Sequence, residues 1–233
     1  MYLLHRTALS PLLPGTDNEA VTQSCRQIQL SGERKFMNFL LSNDLGPLWY
    51  TTLTKTDQTH LVSDNFLQQL RDSCRATTAI YLLQQQALAN INSHLEAASI
   101  PHAVIKGAHV RELIYSEPAL RYACDIDILI PKSEQINAIR TLVSTGYEFK
   151  PTKENISHEA TLYKKGASID LHWDILRTGR TRVPMTDELL STRKDFSTHW
   201  GLDNVATLYL MLVHPVLLSM QHHLITPWYA YWI

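Results

Sequence analysis

The sequence predicts an α+β fold, a sheet core held between helical N- and C-terminal flanks, and three observations predict it. From Asp64 to Ala98, positions of one kind recur at spacings of three and four, the period of a helix. After Pro101 the pattern changes to short apolar runs closed by glycine or proline, as strands and tight turns require. From about Thr186 the helical period returns. A chain of 233 residues suits one core with helical extensions. The expected division is a helical N-terminal region (1–100), a core (101–175) and a helical C-terminal region (176–233).

The elements follow in order. Residues 1 to about 30 hold Pro11, Pro14, Gly15 and a polar run without sustained period, which reads as a loosely held arm with one short helix. A short helix is expected from Glu33 to Leu41. The stripe Phe66, Leu70, Cys74, Thr77, Tyr81, Gln84, Leu88, Ile91 and Leu95 then predicts one long amphipathic helix or two nearly continuous ones, with Thr77 and Gln84 as polar interruptions. Ser63-Asp64-Asn65 supplies its cap. His102 to Lys106 reads as a strand that turns at Gly107 into a helix from Ala108 to Tyr115. Tyr122 to Ile130 reads as a buried strand closed by Pro131, and Ser133 to Thr145 as a helix ended by Gly146. Strands around Thr161–Lys164 and Ala167–Trp173 are joined by a tight turn at Lys165-Gly166. After Thr186 a helix is expected with Val205, Leu208, Tyr209, Leu212 and Val213 on one face until Pro215 kinks or stops it. The sequence closes on the aromatic cluster Trp228–Ile233, which normally belongs under other structure and is read as packed, truncated or partner-covered.

Composition excludes several classes. A net charge of −1 leaves no basic excess to offset a phosphate backbone, so a nucleic-acid partner is not favoured. Three widely spaced cysteines make neither a disulfide framework nor a CxxC metal site, and suit reduced thiols in a cytoplasm. No run approaches the roughly 20 apolar residues that span a bilayer, and the first residues lack a signal peptide's apolar stretch. A cytoplasmic protein without a membrane partner is expected.

The chemistry sits on two strands. Side chains alternate across a strand, so in CDIDILI the carboxylates of Asp125 and Asp127 share one face, opposite Ile126 and Ile128. Two adjacent anions on an apolar strand call for a cation, and hard oxygen ligands favour Mg²⁺ or Mn²⁺. In SIDLHW, Ser168, Asp170 and His172 share a face, which makes a third carboxylate available if the two strands are neighbours. The turn Ile105-Lys106-Gly107-Ala108 places a helix N-terminus where its amides would favour a phosphate. Lys106 and Arg121 are at hand to neutralise phosphate oxygens. His172 either faces the site or is a hydrogen-bonded core histidine. His158, His214 and His222-His223 show no zinc-type spacing and are left outside the site.

VIKGAHVRELIYSEPALRYACDIDILIP followed by SIDLHW resembles the uncharacterised nucleotidyltransferase family of the polymerase-β-type superfamily, over about Ala103 to Trp173. The resemblance rests on Gly107, Asp125, Asp127 and Asp170, with Lys106, Arg121 and His172 matching the family's own signature and expected to bind the nucleotide. It implies a mixed sheet with helices packed on it. It also implies divalent-metal-dependent transfer of a nucleotidyl group from a nucleoside triphosphate such as ATP, with Asp125, Asp127 and Asp170 as metal ligands. Gly107-Ala108 departs from the Gly-Gly or Gly-Ser of many superfamily members, and the interval from Gly107 to Asp125 is longer than in minimal ones. The acceptor is not implied, and a homo-oligomer or protein partner is compatible with the sequence. Two other readings compete: a non-catalytic nucleotide-binding module on the same fold, and an Asp-x-Asp glycosyltransferase. The mostly helical region before Asp125 argues against the glycosyltransferase.

Overall fold

A computed structural model describes residues 2–149, 158–176 and 183–219. Their contacts form two units, one of residues up to Ala79 with Ala119–Tyr122, the other of Ile80–Pro118 with the described residues from Ala123 onward.

The first unit is helical. It holds α1 (Tyr2–Leu9), α2 (Asn18–Ser31), α3 (Glu33–Ser42), α4 (Gly46–Lys55) and the start of α5 (Asp64–Ala97). The expected loose arm is instead two helices with buried residues. Asp17 caps α2 by accepting from the Ala20 amide at 3.0 Å, and Val21, Cys25 and Ile28 bury one side of it. Three apolar positions in a polar run therefore suffice once tertiary partners exist. Phe36, Trp49 and Phe66 are fully enclosed, each stabilising by about 1.5–3 kcal/mol through burial. The Trp49 indole donates to the Ala8 carbonyl at 2.9 Å. α5 is one continuous helix, the first of the two arrangements its period allows, with Ser63 accepting from the Phe66 amide at 3.2 Å as its cap.

The second unit is built on a seven-stranded mixed sheet in the order β3-β4-β5-β2-β1-β7-β6. Its strands are β1 (Ala103–Ile105), β2 (Ile126–Leu129), β3 (Glu148–Phe149), β4 (Glu159–Lys164), β5 (Ala167–His172), β6 (Lys194–Asp195) and β7 (Trp200–Gly201). At the centre, β2 runs antiparallel to β1 and parallel to β5. Alternation sorts the side chains. Val104, Ile126, Ile128, Ile169 and Leu171 enter a core with Leu88, Ile91 and Leu95 of α5 and with Ala138 and Leu142 of α7 (Gln135–Ser144). Ala103, Ile105 and Leu129 enter another with Leu189 and Leu190 of α8 (Thr186–Ser191) and Ala206 and Leu210 of α9 (Asn204–Ser219). Gln84, read as an interruption, is buried and functions as a tie, donating to the Ala123 carbonyl at 2.8 Å and accepting from Arg111 at 2.6 Å.

Past Thr186 the structure differs from the expectation. α8 is short, the β6–β7 pair adds two strands to the sheet, and α9 follows. Val205, Leu208 and Leu212 are 77%, 53% and 48% exposed, while Ala206, Thr207 and Leu210 face inward and Tyr209 packs against that core, so only part of the expected apolar face is the covered side. Pro215 lies within α9 and does not end it. The terminal aromatic cluster and His222-His223 lie outside the described residues. Among the described residues no helix is long and apolar enough to cross a membrane.

Candidate active site

The turn from β1 into α6 (Lys106–Ile114) sets the site's first wall. Ile105 is extended, with φ −128° and ψ 177°, and Lys106 is left-handed at φ 53°. The conformational burden expected of Gly107 thus falls on Lys106, at a cost of about 1–3 kcal/mol for a residue with a side chain. Gly107 itself has no positive φ, and a Cβ there would meet that of Ala123 at 3.4 Å. That is an ordinary contact, so neither the backbone angle nor the space at this position demands glycine.

The sheet register brings the carboxylates together. Asp127 lies opposite Ile105 on β1 and opposite Asp170 on β5, so both aspartates stand side by side on the face that α8 and α9 cover. Asp127 and Asp170 join His172 in a trio whose ligand-type atoms all lie within 4.8 Å of one another. Asp125, one residue ahead of β2, stands outside that trio but within electrostatic reach of both other aspartates.

Asp127 is the electrostatic centre. The Lys106 ammonium donates to its Oδ1 at 2.7 Å, and His172 Nε2 approaches the same oxygen at 2.8 Å. Burial alone pushes the Asp127 carboxyl up, yet the Lys106 charge and the His172 hydrogen bond hold it below the usual carboxylate range. Lys106 mirrors this: burial pushes its ammonium down, and the charge of Asp127, with Glu159 and Asp125 adding, raises it. For Asp125, burial followed by repulsion from Asp127 pushes the carboxyl up, outweighing the hydrogen bond with Cys124 and the Lys106 charge, which lower it.

The donors suit a hard divalent cation. Asp170 Oδ1 is buried and has no hydrogen-bond partner, a costly arrangement unless a cation or proton meets it. Oxygen ligands from Asp125, Asp127 and Asp170 are those Mg²⁺ or Mn²⁺ takes. Arg121, expected at the phosphates, belongs to the helical unit. There its guanidinium donates to the Tyr122 carbonyl, and its charge opposes the rise that burial imposes on Asp44.

Three residues left outside the site by sequence reasoning are near it. Glu159 faces His172 across β4 and β5, and His158 precedes Glu159. His214 of α9 lies within reach of the charges on Lys106 and His172, and burial chiefly pushes its imidazole down to about 3. Only the strand register and the packing of α9 reveal these neighbours.

A mixed sheet carrying aspartates on adjacent strands beside a strand-to-helix turn defines a candidate phosphoryl-group-handling protein. Residues 31–217 match the sequence pattern of the family described as an uncharacterised nucleotidyltransferase, and the chain belongs to that family. No curated protein matches the chain in sequence.

Proposed function

We propose that this nucleotidyltransferase-family protein moves a nucleoside monophosphate from a nucleoside triphosphate to an acceptor oxygen and depends on Mg²⁺ or Mn²⁺. One observation carries the reading: Asp127 and Asp170 are in register on adjacent parallel strands, with a buried Asp170 oxygen that has no partner. The core at 101–175 supplies the machinery, and α9 covers the face from which the acceptor would be presented.

In that reading the acceptor oxygen attacks the α-phosphorus in line, the bond to the bridging oxygen breaks, and pyrophosphate leaves. Asp125, Asp127 and Asp170 would hold the divalent ions, which supply Lewis-acid stabilisation of the phosphoryl charge. Asp170 would help take the acceptor's proton. Lys106 and Gly107 open α6, whose N-terminal amides favour a phosphate, and Lys106 brings a cation to it. His172 orients Asp127.

Calorimetric titration of each nucleoside triphosphate, with and without Mg²⁺, tests the reading. The expected result is Mg²⁺-dependent binding that disappears in an Asp125→Ala, Asp127→Ala double variant. Absence of binding by the wild type, or equal binding by the variant, refutes it. A second reading, nucleotide binding without turnover, draws on Lys106, a built-in cation already seated on Asp127. Pyrophosphate release on addition of candidate acceptors separates the two. The family match favours nucleotidyl over glycosyl transfer.

A further inference from the structure

We propose that His158, Glu159 and His172 form a second cation site, apart from the aspartates, suited to a borderline transition ion such as Zn²⁺ or Co²⁺. Their ligand-type atoms, one per residue, all lie within 4.8 Å of one another. The sheet builds the group: Glu159 and His172 are directly paired across β4 and β5, so their side chains share a face. His158 sits one residue ahead of β4, free of the strand's alternation, and its carbonyl accepts from the Trp173 amide at 2.9 Å. That bond holds the backbone so that the imidazole lies beside Glu159.

The separations match a small tetrahedral ion. Glu159 Oε2 lies 3.3 Å from His158 Nε2 and 3.3 Å from His172 Nδ1. Ligands bound to Zn²⁺ at 2.0–2.1 Å in a tetrahedron stand about 3.3–3.4 Å apart. Two edges of the polyhedron are therefore already at their bound length.

His172 supplies an independent indication. Its side chain is 2% exposed, and its Nε2 meets the Asp127 carboxylate at 2.8 Å and the Lys106 ammonium at 3.3 Å; the carboxylate, the closer of the two, favours Nε2 as the donor. Nδ1 then carries the lone pair, and it is buried, without a hydrogen bond and directed at Glu159. A carboxylate fixing one imidazole nitrogen while the other is offered to an ion is the usual support of a metal-binding histidine. Side-chain exposures of 12% for His158 and 20% for Glu159 leave an approach from solvent. Two imidazoles and one carboxylate select Zn²⁺ or Co²⁺ over Mg²⁺, and three protein ligands leave a coordination position open. None of its ligands is an aspartate assigned to Mg²⁺, but His172 is shared with the aspartate group, its Nε2 facing Asp127 and its Nδ1 facing Glu159.

The test is a Co²⁺ titration of the chelator-treated full-length protein in excess Mg²⁺, followed by visible ligand-field absorption. The expected result is one equivalent of tetrahedral-type Co²⁺, displaced by stoichiometric Zn²⁺. Affinity should fall at least about tenfold in both His158→Ala and Glu159→Gln, with Asp125→Asn close to wild type. Circular dichroism of each variant checks that the fold survives, and the turn position of His158 makes its variant the safer of the two. No tetrahedral band in the wild type overturns the proposal. So does a band that persists in both His158→Ala and Glu159→Gln, or one lost in Asp125→Asn alone, which would place the ion among the aspartates.

Discussion

Asp127 stays ionised in a nearly closed environment because Lys106 and His172 both meet one of its oxygens. Replacing Lys106 by Met leaves that charge with the His172 hydrogen bond but no cation, and chemical denaturation at neutral pH should show a loss of about 3 kcal/mol. Since the folded Asp127 is held below the ordinary carboxylate value of 3.8, its contribution is present above that value and disappears as pH falls toward the folded one. The penalty of Lys106→Met should therefore shrink in acid. Asp125 has the opposite sign. Its carboxyl is raised, so folding is favoured below 3.8 and that advantage is lost as pH rises through the folded value. Asp125→Asn should raise the thermal midpoint of metal-free protein at neutral pH, bring no gain below the ordinary carboxylate range, and reduce transfer activity by about 10²-fold or more. A lower midpoint at neutral pH would show that Asp125 has a stabilising partner. The aspartates were legible in the sequence because Asp-x-Asp on an apolar strand is a local pattern. Glu159 was not, since its meeting with His172 is created by pairing between strands.

Single elements impose constraints of their own. The turn into α6 places its left-handed conformation on Lys106, so Lys106→Gly and Lys106→Ala lose the same ion pair but only the second keeps the strain. Lys106→Gly should be the more stable by about 1 kcal/mol in denaturant unfolding, and the reverse order would mean the turn is not strained. α6 is also tied to the segment through β7 by a histidine relay. His109 Nε2 donates to the Leu202 carbonyl at 2.9 Å, and His199 Nε2 donates to His109 Nδ1 at 3.1 Å. Burial pushes both imidazoles down, His199 to about 3. Between about 3 and the ordinary 6.5 the unfolded chain binds the protons that the folded one refuses, so stability falls as pH drops through that window. Thermal midpoints from pH 7.5 to 5 should decline less steeply in His199→Gln than in wild type. The β6–β7 pair behind this relay was missed because two-residue strands carry no period. In α9 the periodic apolar residues were visible, but periodicity does not say which side the sheet takes, and Val205, Leu208 and Leu212 remain largely exposed.

At the scale of the molecule, the change from helical period to short strands and back revealed the fold class. The seven-strand order and the parallel pairing of β2 with β5 needed the assembled sheet. That pairing is also where fold becomes site, since it sets Asp127 beside Asp170 on the face opposite the α5 core. The chain belongs to a nucleotidyltransferase family, and the proposed chemistry, carboxylates gathering divalent ions against a triphosphate, rests on this register. The most direct measurement is a Mn²⁺ titration followed by electron paramagnetic resonance, with and without a non-hydrolysable nucleoside triphosphate, on wild type, Asp127→Asn, Asp170→Asn and Glu159→Gln. The account predicts Mn²⁺ binding that the nucleotide tightens and that both aspartate variants abolish while Glu159→Gln retains it. Nucleotide-independent binding that survives in the aspartate variants, or no binding by wild type, would contradict it.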